Sequence, residues 1–275
     1  MGHHNGHTGV HALVLAAVLS TGCRKIEPAP AALDRLFPWF FTKIDEGSDE
    51  ELAEGIRNLH KAGKVAQLED TVDGTISKLT KDELAVVDLQ NRDPSKASGV
   101  YMLNKVTCGL PQLERILYHK QQDDLYEDTY DRYDRTFTTD KQAYIDRDTA
   151  ELSWEVEYDA TILGKECTST VLAKLRRVPV LDDEQSPFGP ALIARAHIPR
   201  PAQFSGGNTS LSQDYQIEMY YKAGNGEILH AYGIWREADF GGGVTSDNEG
   251  SQVILLNELA KWDEVTETLC EEGRP

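Results

Sequence analysis

Leu152-Ser153-Trp154-Glu155-Val156-Glu157-Tyr158-Asp159-Ala160-Thr161-Ile162 alternates apolar and polar residues along its whole length. Successive side chains of a strand point to opposite faces, so Leu152, Trp154, Val156, Tyr158, Ala160 and Ile162 share one face and the polar set shares the other. The same period of two continues downstream. Residues 167–178 place Val171, Ala173 and Leu175 inward, residues 191–198 form a further strand, and residues 215–221 align Tyr215, Ile217, Met219 and Tyr221. Asn225-Gly226 supplies a type I′ turn into residues 227–235, where Ile228, His230, Tyr232 and Ile234 share a buried face. Such alternation predicts an antiparallel sheet with one face covered and one wet.

Helical signals flank the sheet. Ser246-Asp247-Asn248-Glu249 reads as a capping box opening a long C-terminal helix, with Val253, Leu256, Leu259, Ala260, Trp262 and Leu269 at helical spacing up to Cys270. Ahead of the sheet, residues 100–107 read as a strand, and Gly109-Leu110-Pro111 starts a short helix. Earlier still, the aromatic-rich stretch 33–41 predicts a helix interrupted by Pro38. Ser48-Asp49-Glu50-Glu51 caps a helix carrying Leu52, Ile56 and Leu59, and Thr80-Lys81-Asp82-Glu83 caps a shorter one. The expected fold class is therefore α+β, with N-terminal helices followed by an antiparallel sheet packed on a long C-terminal helix. The polar loop 91–96 marks the boundary between a helical segment, 33–98, and the sheet-plus-helix domain, 99–275.

Hydrophobic residues make up 40% and charged residues 27% of the 275, the usual balance of a folded domain. A net charge of −18 argues against nucleic acid as a partner, because phosphate neutralisation needs Lys and Arg. It argues equally against adsorption to anionic lipid and suits a solvated acidic surface.

The first residues carry an address. The apolar run 12–19, too short to span a bilayer at ~20 residues, leads into Ser20-Thr21-Gly22-Cys23. This segment resembles the lipobox of bacterial lipoproteins. The resemblance implies a signal peptide at 1–22, a lipid-bearing Cys23, a Pro-rich tether at 23–32, export, and membrane anchorage in the cell envelope. An ordinary secretory signal cleaved nearby, or a buried N-terminal strand with a chance cysteine, are the other readings of the same residues. In an oxidising compartment the remaining cysteines, Cys108, Cys167 and Cys270, allow one disulfide, and Cys108–Cys167 is expected because both lie in the sheet region.

Strand, short helix, antiparallel meander and long terminal helix over 99–270 form an order of elements that resembles the START-like helix-grip superfamily. The resemblance implies a curved sheet wrapped around the last helix, with a cavity for lipid or polyketide. A sheet packed solidly on that helix is the alternative.

Chemical motifs are sparse. HExxH and GxSxG are absent, and Asp146-Arg147-Asp148 begins like a calcium loop but lacks its glycine. No metal, cofactor or catalytic residue is implied. Of His60, His119, His197 and His230, the last stands out for its buried strand face. The acidic-tyrosine tract 123–134, with Tyr126, Tyr130 and Tyr133, reads as a solvated surface or a partner surface. The expected function is a lipid-anchored envelope protein with a non-enzymatic binding domain for an apolar small molecule or a partner protein. Its site is placed at Trp154, Tyr158, Tyr215, His230 and Tyr232, for which plain core packing is the other reading. An envelope enzyme with dispersed catalytic residues, or a structural component of an envelope complex, are the competing classes.

Overall fold

Nine strands, all antiparallel to their neighbours, form the sheet seen among the described residues of the computed structural model, 28–162, 164–179, 188–223 and 226–275. Residues 1–27, with the expected signal segment and Cys23, lie outside them, as does Asn225 of the expected hairpin turn. The strands are β1 (Val72–Thr75), β2 (Ser98–Thr107), β3 (Arg132–Phe137), β4 (Glu151–Ile162), β5 (Lys165–Val178), β6 (Ala191–His197), β7 (Gln203–Phe204), β8 (Ser210–Lys222) and β9 (Glu227–Asp239). Their spatial order is β1-β2-β9-β8-β6-β5-β4-β3, with β7 paired to β5. Among the described residues, no helix is long and apolar enough to cross a membrane.

Helices cover both faces. On one lie α1 (Leu33–Glu46) and α2 (Asp49–Ala62), the latter opened by the Ser48–Glu51 capping box; α3 (Lys81–Leu84) follows with its own box at Thr80. On the other lie α4 (Leu110–Leu117) and α6 (Glu249–Glu271), while α5 (Lys141–Ile145) is a short turn beside β4. The expectation of one wet face therefore holds at β4, where burial alternates, and fails at β9, where residues 228–235 are buried without interruption. The reason is that the 33–98 segment donates α1 to the outer face and β1 to the sheet edge. Phe37, Phe40 and Phe41 of α1 join Ile217, Ala231 and Trp235 in one core.

Pro38 does not interrupt α1. A proline removes the N–H that would bond the carbonyl four residues back, here Asp34. That carbonyl instead accepts from the Ser77 N–H at 3.1 Å, while the Ser77 carbonyl accepts from Trp235 Nε1 at 2.8 Å. The proline defect thereby becomes an attachment between helix, strap and sheet. The C-terminal end of α1 is held by cations, as its dipole favours. Arg195 donates to the Phe41 carbonyl at 2.8 Å and pairs with Asp45, and Arg176 donates to the Ile44 carbonyl at 3.0 Å.

Two details correct the sequence reading. Asn248, not Ser246, caps α6, accepting from the Gly250 N–H at 2.9 Å, whereas the Ser246 hydroxyl accepts from the Ala238 N–H. The disulfide joins Cys108 to Cys270, with Cα atoms 5.4 Å apart, and Cys167 is free and buried. Cys108–Cys167 is excluded by strand order: β9, β8 and β6 separate β2 from β5, and four strand spacings come to about 19 Å, far beyond disulfide reach.

Close packing of α1 on the sheet depends on Gly233, where an added Cβ would fall 2.5 Å from a Phe37 ring carbon. Gly233→Ala is expected to lower stability by about 1–3 kcal/mol through overpacking, read as a lower urea midpoint with an unchanged slope.

Candidate functional site

The inner face of the sheet and α6 do not meet along the whole helix. Between them is a cavity of about 570 Å³. Period two along β4 and β5 supplies its apolar wall, because Trp154 opposes Ala173 and Val156 opposes Val171. Leu255, Leu259 and Trp262 of α6 close the other side.

Four of the five expected site residues, Trp154, Tyr158, His230 and Tyr232, line this cavity. Tyr215 does not. It pairs with Trp235 across β8 and β9, and directly opposed residues share a face, so it turns toward α1 and meets Phe41 edge-on at 6.2 Å. His230 is one residue out of that phase and pairs with Tyr220. The tyrosines of the acidic tract also face inward, while Asp124, Glu127, Asp128, Asp131 and Asp134 stay exposed. Tyr126 stacks on Trp262 at 5.0 Å and shares a hydrogen bond with Thr266, while Tyr130 lies edge-on to Tyr133 and Tyr158 in the cavity wall.

His230 anchors a buried polar group. Its Nδ1 lies 2.7 Å from Asp263 of α6, and its Nε2 lies 3.4 Å from Glu218 of β8, an ionic contact without hydrogen-bond geometry. The ring stacks on Tyr220 at 4.5 Å, and the Tyr220 hydroxyl donates to Glu218. The other oxygen of Asp263 accepts from Asn104 of β2 at 2.8 Å. Burial by itself would depress the imidazole, but the Asp263 and Glu218 carboxylates outweigh it and raise its pKa to about 10. The ring is therefore an imidazolium at neutral pH, with each nitrogen facing a carboxylate. An imidazolium so held is no general base, which would need a free lone pair.

A second ion pair lies in the wall nearby. Arg236 grips Asp214 through Nε at 2.6 Å and a terminal nitrogen at 2.5 Å, and Gln216 donates to the other Asp214 oxygen. Burial opposes the guanidinium's charge, yet Asp214 holds its pKa above the usual value. At the β3 side, Arg135 lies 4.5 Å over the Trp154 ring and donates to the Leu117 carbonyl and the Tyr133 hydroxyl. Burial pushes the Tyr158 hydroxyl up to about 12, so it stays protonated as a donor. Among the described residues no group of three His, Cys, Asp or Glu is arranged to hold a metal ion.

Sequence reasoning missed Asp263, Glu218, Arg236 and Arg135. Asp263 left a legible signal, a carboxylate four residues after Leu259 on the apolar stripe of α6. Glu218 left none, because alternation with Ile217 and Met219 marks it as a wet position.

The raised pKa of His230 makes stability depend on pH with a definite sign. Its contribution is complete below about pH 6.5 and is lost as pH rises through about 10. In a Cys167→Ser background, which removes thiol exchange, unfolding free energy should fall by up to about 1.4 kcal/mol per pH unit between pH 7.5 and 9.5. His230→Gln should lack that slope.

No protein-family model matches this chain, and no curated protein sequence does. Among solved structures it is similar to a START superfamily protein from Mycobacterium smegmatis, at 10% sequence identity and a TM-score of 0.42, over 63% of this chain and 97% of that one.

Proposed function

We propose that this chain is a non-enzymatic binding protein that holds an apolar small molecule between its sheet and its C-terminal helix. One observation carries this reading, the cavity of about 570 Å³ under α6. Protein interiors are close-packed, with few voids larger than a water molecule, and ligand pockets span roughly 300–1,000 Å³. Aliphatic and aromatic side chains form most of this wall. Two of the polar groups at this wall, His230 with its two carboxylates and Arg236 with Asp214, are occupied with one another.

The same occupancy weighs against an envelope enzyme, because His230 is spent as a buried cation. The inward turn of Tyr126, Tyr130 and Tyr133 weighs against an aromatic docking surface for a partner protein. The acyl anchor at Cys23 and the envelope location belong to the same proposal, on the strength of the lipobox-like segment alone.

The neutral fluorescent probe N-phenyl-1-naphthylamine should bind saturably at one site per chain. Ala173→Phe, which fills the cavity opposite Trp154, should weaken it at least about tenfold, as expected when a small apolar site is occluded, with the circular dichroism spectrum retained. Absence of saturable binding to the unaltered protein would overturn the proposal. For the address, Cys23→Ala should move the protein from the membrane fraction to the soluble fraction, and unchanged fractionation would remove the anchor.

A further inference from the structure

The other two arginines that bound the cavity are matched to carboxylates, Arg195 to Asp45 and Arg236 to Asp214. Arg135 breaks the pattern. It is 5% exposed, lines the cavity, and has no carboxylate within ion-pair distance among the described residues. Its two protein acceptors, the Leu117 carbonyl and the Tyr133 hydroxyl, are neutral, and its Nε is buried without an acceptor.

The surroundings add positive charge and remove the neighbouring anions. Lys141 sits over the rings of Phe137 and Tyr118 at 4.9 and 5.0 Å, also without a carboxylate partner among the described residues. Burial lowers its pKa and the charge of Arg135 lowers it further. Glu114 of α4 is engaged by Arg147, Arg177 and the Tyr144 hydroxyl. Period two turns Asp134 to the opposite face of β3, where Arg132 takes it. A buried guanidinium that keeps its charge without a counterion is costly, and here that cost is borne inside a cavity, in a chain with 18 excess negative charges to draw on.

We infer that the Arg135 end of the cavity takes the carboxylate of an amphiphile whose apolar body lies along Val156, Val171 and Leu259. This deepens the binding proposal above and rests on it. A monoanion balances the one cation of the cavity wall that has no carboxylate, and a guanidinium fork matches a carboxylate in shape. The carboxylates around His230 disfavour the head at the β8–β9 side, so the ligand has one orientation.

Dodecanoate, kept below its micelle concentration, and dodecanol are compared as competitors of N-phenyl-1-naphthylamine. Dodecanoate should displace the probe at least about tenfold more effectively, the scale of a desolvated charge-assisted contact. Arg135→Met should bring the two competitors within about threefold of each other, leaving dodecanol itself little changed. Arg135→Lys, which keeps the charge but not the fork, should retain part of the preference and decides the matter if Arg135→Met does not fold. Equal displacement by both competitors in the unaltered protein, or an undiminished preference in the Arg135 variants, would overturn the anionic head and leave the cavity proposal standing. Failure of the probe to bind at all would remove the cavity proposal and this inference with it.

Discussion

The buried positive charge of His230 ties the sheet to α6. Asp263 approaches its ring to 2.7 Å, and Asn104 and Glu218 complete a polar group drawn from β2, β8, β9 and α6. Removing either partner would leave an unpaired charge inside the protein, a far larger penalty than losing a surface pair. The attachment is therefore strong, and it is local to the C-terminal half of the helix.

The other polar and covalent contacts that tie α6 to the fold are concentrated in the same half. The Thr107 N–H donates to Glu267, Gln112 donates to the carbonyls of Leu269, Cys270 and Arg274, and the Cys108–Cys270 bond closes the end. The N-terminal half has only Leu255, Leu256 and Leu259 partly packed against Val100, Tyr232 and Ile234, and it leaves Val253 and Ile254 exposed. A helix pinned at one end by polar and covalent contacts need not be drawn down along its full length by hydrophobic burial. The cavity beneath it follows from that division of labour.

The opposite face of the sheet works by the usual means. Phe37 and Phe41 fill the space over Gly233 and Trp235, Phe40 packs against Gly55 of α2, and the carbonyl freed by Pro38 is used to bind Ser77. Rigid packing there allows the inner face to stay open, because the sheet's shape is set from its outer side. Charge is distributed along the same lines: arginines on the outer face clamp α1, while those on the inner face are divided between satisfied pairs, Arg236 with Asp214 and Arg177 with Glu114, and the unmatched Arg135.

Much of the framework was legible in local pattern. The alternation of 152–162, the boxes at Ser48 and Thr80, and the apolar spacing of α6 are relations between residues a few positions apart, and local backbone geometry enforces them directly. Four of the five aromatic and histidine positions were legible for the same reason, since each shares a strand face with apolar neighbours. Tyr215 was misassigned because period two says which residues share a face but not which layer that face meets. The disulfide partner, the doubly covered β9 and the gathering of Asp263, Glu218 and His230 were decided only in three dimensions. They depend on strand order and register, which bring together residues as much as 162 positions apart. The sequence by itself determined the long strands and helices, the caps at Ser48 and Thr80 and the acidic balance of charge. Only the tertiary structure decided which charges meet and where space is left, because those follow from through-space pairings that no local period encodes.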